Sequence, residues 1–281
     1  MKMIDPGTDV TSLNRNNLEE MALAGITGLV ATLGTPVRTK VMSAQTLLEF
    51  YETQIDFQHK RTREYLIDTY VAVGIHPFFV PADWEKVFKE LPKYLKEKRV
   101  VAFGETGLDP RSPVPMATQE EIFKVELRMA KEYNKVVIAH LPQQWQKEHT
   151  AITNSGVTLA LSEQQQWVKK LLELLDEAKF NPGHLVIEHA NAPVVKMITD
   201  SGCNACISVQ PWRNITPKDA TRMLQTADLN RTLINSDCGI WLPSDPLSVP
   251  KTVLEMRLLN FRDEEIENVV YKNPTRLFNL A

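Results

Sequence analysis

Residues 99–107 read RVVAFGETG. Val100, Val101, Ala102 and Phe103 are apolar at odd and even positions alike. That suits a strand covered on both faces rather than the half-exposed strand of an antiparallel sheet. The run ends on Gly104-Glu105, so a doubly buried strand delivers a carboxylate to its C-terminal end. The same design recurs on either side. MKMI (1–4), GITGLVATL (25–33) and TYVAVGIHP (69–77) precede it. KVVIAHLP (135–142), GHLVIEHA (183–190), NACISVQP (204–211) and RTLINSD (231–237) follow it, making eight short runs in all.

Helical patterns lie between them. Asn17 precedes LEEMALA and Gly25 follows it; Asp83 precedes the stripe Trp84, Val87, Phe88 and Leu91. Thr118-x-x-Glu121 and Ser162-x-x-Gln165 read as capping boxes, and Thr216-Pro217-x-Asp219 as a cap with Pro at the first helical position. Pro250 and Asn273-Pro274 open two further helical stretches. Eight strands alternating with helices predict an α/β fold, a (β/α)8 TIM barrel forming one domain over 1–281. A doubly wound open sheet is the alternative, but it wants a Gly-rich phosphate loop after an early strand, and no such motif is present. The stretch 143–161 reads as a long loop on the active face.

Bulk composition narrows the function classes. The chain has 281 residues and a formal net charge of -3, so no global basic field points to nucleic acid or an anionic membrane. No apolar run reaches the roughly 18–20 residues of a membrane span, and no signal-peptide core opens the chain. Three cysteines, Cys203, Cys206 and Cys238, fit reduced thiols in a cytoplasm. Cys203-x-x-Cys206 lacks the second pair of a zinc knuckle and reads as strand sequence.

The ends of the runs carry the chemistry. They present Asp5 and Asp9, His76, Glu105, His140, Glu188 with His189, and Asp237; three of the six histidines in the chain sit there. Each alone reads as a satisfied core or loop residue. Together, on one barrel rim, they cluster buried polar groups whose cost a metal ion relieves.

The motifs GIHP (74–77), AFGETGLD (102–109), AH (139–140), EHAN (188–191), NSDCG (235–239) and NPTRLF (273–278) span nearly the whole chain. In this order they resemble the TatD-related metal-dependent hydrolases of the amidohydrolase superfamily. The resemblance implies a two-metal barrel. Glu105 would be the shared ligand, His140 and His189 would complete one metal, and Asp237 would belong to the other. The family's His-x-His pair on the first strand falls at positions 7 and 9, which are Gly7 and Asp9 here. Glu105, His140 and His189 still make a competent catalytic zinc set. The other site retains Asp237 and Glu105, with Asp9 as a substitute, a carboxylate set better suited to Mg²⁺ or Mn²⁺. The expectation is one firmly bound divalent metal with the second site weak or vacant, leaving Asp237 as general base toward the attacking water. Restoring imidazoles at 7 and 9 should rebuild the second site unless a neighbour has filled the space left by Gly7.

His76 either orients a substrate phosphate or caps its strand. Trp145, Trp212 and Trp241 fall in loops where they stack a base or form pocket wall. The activity implied is hydrolysis of a phosphoester, small or at a nucleic-acid end. The competing reading, supported by the lost imidazole pair, is a degenerate barrel that binds a ligand or partner. The sequence fixes no oligomeric state.

Overall fold

Each of the eight apolar runs becomes a parallel strand, and neighbours in sequence are neighbours in space. The computed structural model describes residues 1–32, 43–142, 161–211, 215–239 and 243–280. The strands are β1 (Met3–Thr8), β2 (Ile26–Ala31), β3 (Asp68–Val73), β4 (Val100–Gly107), β5 (Val136–His140), β6 (Leu185–Ile187), β7 (Asn204–Ser208) and β8 (Thr232–Asn235), paired in that order in one sheet. Helices cross between them: α1 (Arg15–Ala24), α2 (Ala44–Glu52), α3 (His59–Arg63), α4 (Glu85–Leu95), α5 (Met116–Glu132), α6 (Leu161–Glu177), α7 (Ala192–Asp200) and α8 (Pro217–Leu224). After β8 come α9 (Ser248–Leu258), α10 (Asp263–Glu267) and α11 (Asn273–Phe278). This is the expected (β/α)8 barrel. Among the described residues, no helix is long and apolar enough to cross a membrane.

Two buried layers explain why the strands are apolar on both parities. Ile4, Val30, Ala72, Ala102, Ile138, Val186, Cys206 and Leu233, one from each strand, share the inner cluster with Phe278 and Leu280 at the chain's end. The outer faces of the strands pack with the helices in a larger cluster that includes Phe103, Val137 and Cys203. Cys203 and Cys206 therefore lie in different layers, and all three cysteines are buried free thiols.

Several caps differ from the expected ones, each for a local reason. Asn14, not Asn17, caps α1; the two asparagines exchange side-chain to backbone bonds in a reciprocal box, and Gly25 closes the helix in the left-handed region at φ 100°. Asp83 does not cap its own helix, because its Oδ1 accepts from Ala44 N, 2.8 Å away at the start of α2. α5 begins at Met116, ahead of the Thr118 box. The Thr216–Asp219 box on α8 forms as read, with Pro217 at its first turn.

The first strand is longer than MKMI and continues through Asp5-Pro6-Gly7-Thr8. This segment joins the last strand to the first. Asp5 Oδ1 accepts from Ser236 N at 3.0 Å, Asp237 N donates to Gly7 O at 3.0 Å, and Asp9 N donates to Cys238 O at 2.7 Å. Asp5 is fully buried, and burial pushes its carboxyl up to about 6, against lowering bonds from Ser236 and Gly7.

A carboxyl whose folded pKa exceeds its unfolded value of 3.8 gives stability that is complete below 3.8 and lost as pH rises through about 6. That difference amounts to about 3 kcal/mol at most. Asp5→Asn should therefore gain stability relative to the parent between pH 4 and pH 7.5, by about 1–3 kcal/mol. Urea unfolding at both pH values checks this; an equal difference at the two would show that the fold leaves the Asp5 carboxyl at its ordinary value.

Candidate metal centre

The site starts from irregularities in β4. Phe103 pairs with Val137 and Thr106 with Ala139, so β4 advances three residues where β5 advances two. The extra residue is a bulge, a device that re-aims side chains at barrel rims. It falls at Gly104-Glu105, where Gly104 has φ 156° and a Cβ would come within 2.7 Å of Ile138 Cβ, so only glycine fits. Glu105 follows on the rim and is buried.

Two imidazoles meet one oxygen of Glu105. Its Oε1 lies 2.8 Å from His140 Nδ1 and 2.7 Å from His189 Nε2. The other oxygen, Oε2, lies 3.6 Å from His76 Nε2. Burial alone would raise the Glu105 carboxyl, but His189, His76 and His140 outweigh it and hold it well below the usual carboxylate range. The structure thus brings together Glu105, His140, His189 and His76. Ligand-capable atoms form two groups, each within 4.8 Å: His76, Glu105 and His140, and Glu105, Glu188 and His189.

The remaining ring nitrogens sort the histidines. His140 Nε2 sits 2.8 Å from Asp109 Oδ2 and its Nδ1 2.8 Å from Glu105 Oε1, so both nitrogens donate to carboxylates; burial lowers the pKa of this imidazole, but the two bonds outweigh it and raise it. His189 Nδ1 is 2.8 Å from Ser208 Oγ, a hydroxyl that can donate or accept, and its Nε2 faces Glu105. His76 is different. Its Nδ1 accepts from Phe78 N at 3.1 Å, so the neutral ring carries its proton on Nε2, the nitrogen facing Glu105. A protonated nitrogen is a hydrogen-bond donor, not a ligand. His140 and His189 fall in different groups and meet through Glu105, and each group offers the imidazole and carboxylate donors that a divalent cation takes.

Asp9 and Asp237 stand apart from these groups among the described residues. Asp9 Oδ1 caps a short turn over Val10–Ser12, accepting from Thr11 N at 2.9 Å and Thr11 Oγ1 at 2.5 Å. Its Oδ2 is buried without a hydrogen-bond partner. Asp237 follows β8, half-buried, with its backbone in the left-handed region at φ 44°. The space beside Gly7 is filled: a Cβ there would fall 2.2 Å from Asn235 Nδ2 and 2.7 Å from Glu188 Oε1. An imidazole at position 7 would therefore have to displace the Asn235 amide and the Glu188 carboxylate. Trp145, Trp212, Trp241 and nearly all of the loop 143–161 lie outside the described residues.

Sequence reasoning missed the supporting residues. Asp109 ends the GETGLD run, and that position beyond a strand-end carboxylate was its only signal. It is clasped by Arg111, whose Nε donates to Oδ1 at 2.8 Å and whose Nη2 pairs with Oδ2. Burial raises the Asp109 carboxyl, but Arg111 and His140 outweigh it and push it down. Glu126 on α5 was invisible as anything but helix. Its Oε1 accepts from Ile75 N at 2.8 Å and its Oε2 from Thr106 Oγ1, which ties the residues next to His76 and Glu105 to one helix. Burial raises the Glu126 carboxyl well above its ordinary value.

Asp109→Ala would remove the buried carboxylate that pairs with the buried Arg111 guanidinium. The expected cost is about 3–5 kcal/mol, the range for removing one partner of a buried pair. Urea denaturation of the metal-stripped protein measures it without interference from bound ions; a loss under about 1 kcal/mol would mean that the pair is solvated in the fold.

Comparison with known proteins places this geometry. The profile of the TatD related DNase family matches residues 7–279. The metal-dependent hydrolase MJ0761 of Methanocaldococcus jannaschii is 30% identical over 280 residues, covering 99% of this chain and 100% of that protein. Two solved structures share the fold at lower identity. The TatD-like protein AF1765 from Archaeoglobus fulgidus superimposes with a TM-score of 0.73 at 23% identity, covering 98% of this chain and 99% of that one. The TatD homolog YJJV from Escherichia coli K12 gives 0.67 at 17% identity, covering 99% and 98%. With its family profile spanning all but the ends of the sequence, and a relative matched from end to end, the chain belongs to the TatD related DNase family of metal-dependent hydrolases.

Proposed function

We propose that the chain hydrolyses phosphoesters, with a divalent cation held by Glu105, His140 and His189. One observation carries the reading: two buried imidazoles, each with its far nitrogen bonded to another group, turn their near nitrogens onto the same Glu105 oxygen. A cation bound there supplies Lewis acidity and makes water a nucleophile near neutral pH. The family name favours a phosphoester, including a nucleic-acid end, over a cyclic ester or amide.

The chain's own residues have separate tasks. Asp237, at the end of β8 and outside the ligand groups, is the general base that takes the proton of the attacking water. His76 donates from Nε2 to a substrate oxygen, consistent with the proton that Phe78 N imposes on that nitrogen. Asp109 and Ser208 fix the ring planes of His140 and His189, a role whose loss typically costs 10–100-fold in affinity or activity. The substrate phosphorus gains the water oxygen, the ester P–O bond breaks, and the alkoxide leaves as the alcohol with the proton that Asp237 took from the water.

The test uses bis(p-nitrophenyl) phosphate and short DNA oligonucleotides as substrates. Hydrolysis should stop after chelation and return with Zn²⁺, Mn²⁺ or Mg²⁺. His140→Ala and His189→Ala should each lower metal content after dialysis to well below the parent's, measured by elemental analysis. Asp237→Asn should keep the metal and lose roughly 10²–10⁴-fold in rate, the usual worth of a positioned base. A parent that binds metal firmly yet cleaves no phosphoester or ester would favour the ligand-binding reading of this barrel.

A further inference from the structure

Gly7 carries no side chain, and Asn235 and Glu188 stand in the space one would take. Glu188 follows β6, is buried, and its Oε1 accepts from Asn235 Nδ2 at 2.8 Å. The two groups occupy the volume that any side chain on Gly7 would need. Gly7 is thus not merely an absent ligand: its missing Cβ is the room in which the Glu188 carboxylate and the Asn235 amide meet. Glu188 also shares a ligand group with Glu105 and His189, all three buried and within 4.8 Å of one another. The Asn235 amide carries a further sign, because its Oδ1 is buried without a hydrogen-bond partner while its Nδ2 holds Glu188. A second buried acid beside Glu105 carries a desolvation cost that an amide or an apolar chain filling the same space would avoid.

We infer that Glu188 is a metal ligand in this chain, taking the place of the missing strand-1 imidazoles and adding a second carboxylate to Glu105, His140 and His189. The inference rests on the reading that those three residues hold a divalent cation. A set of two imidazoles and two carboxylates is harder than two imidazoles and one carboxylate, so it raises the standing of Mn²⁺ relative to Zn²⁺. Asn235 Nδ2 holds Glu188 by Oε1 at 2.8 Å, which fixes its carboxylate beside Glu105 and His189.

Metal binding alone tests this, without substrate. Mn²⁺ and Zn²⁺ are titrated separately into chelator-stripped parent, Glu188→Gln, Gly7→Ala and His140→Ala, with affinities read by calorimetry or by competition with a chromophoric chelator. Glu188→Gln preserves shape and still accepts from Asn235, so its fold should hold. It should weaken Mn²⁺ by more than tenfold and Zn²⁺ by less, lowering the Mn²⁺/Zn²⁺ preference. Gly7→Ala should shift the preference the same way by displacing Glu188, although no ligand atom is removed. Affinities in Glu188→Gln equal to the parent's, alongside loss of both ions in His140→Ala, would overturn the Glu188 assignment and leave the centre itself standing. No uptake of either ion by the parent would overturn the centre as well. Should Glu188→Gln fold poorly, Glu188→Asp decides in its place, because it keeps the charge and shortens the reach: unchanged Mn²⁺ affinity would overturn the assignment.

Discussion

The carboxylate of Glu105 is the point on which the rim is organised. Taking an ionised carboxylate out of water costs several kcal/mol unless it is paired and hydrogen-bonded. Here the cost is met by imidazoles from β5, from the end of β6 and from the segment after β3, all converging on one side chain. Each imidazole is in turn fixed by a group outside the cluster: Asp109 for His140, Ser208 for His189, the Phe78 amide for His76. The bulge at Gly104-Glu105 makes the convergence possible by shifting β4 one residue against β5 just where the carboxylate leaves the sheet. Remove the bulge and the side-chain alternation of β4 would carry Glu105 to the other face.

The same logic accounts for the shape of strand 1. β1 also advances three residues against two of its neighbour, between Asp5 and Thr8. Its backbone there serves closure, offering Gly7 O to Asp237 N and the Asp5 carboxylate to Ser236 N. In this chain the first strand seals β8 to β1 and, at Gly7, makes room for the Glu188 carboxylate that follows β6. Asp9 follows suit by capping the next turn.

The barrel was legible from the sequence because its signal is redundant. Eight runs apolar on both parities, alternating with 3.6-period stripes, leave few other architectures. The strand-end residues were legible for the same reason: Glu105, His140 and His189 occupy matching phases in RVVAFGETG, KVVIAHLP and GHLVIEHA, and parallel strands in matching phase point to one rim. What could not be read was any contact between residues far apart in sequence. Asp83 reaching Ala44, Glu126 reaching Ile75, and Asn235 meeting Glu188 beside Gly7 depend on how the helices and strand ends pack, and carry no local pattern. Local caps failed for a related reason, since Asn14 and Asn17 are equally good caps and only the path into α1 chooses between them.

The three rim histidines show why matching phase does not amount to matching role. All three stand at strand ends and all three face Glu105, so sequence and proximity alone would count three ligands. The second nitrogen decides. An imidazole whose far nitrogen donates outward keeps a lone pair for an ion, whereas one whose far nitrogen accepts from a backbone amide must carry its proton inward. His140, with its far nitrogen on the Asp109 carboxylate, can give up its inner proton to an ion, whereas His76 is arranged the second way. The backbone amide of Phe78, a group with no chemistry of its own, is what sets His76 apart, because it directs the proton of the neutral ring at Glu105.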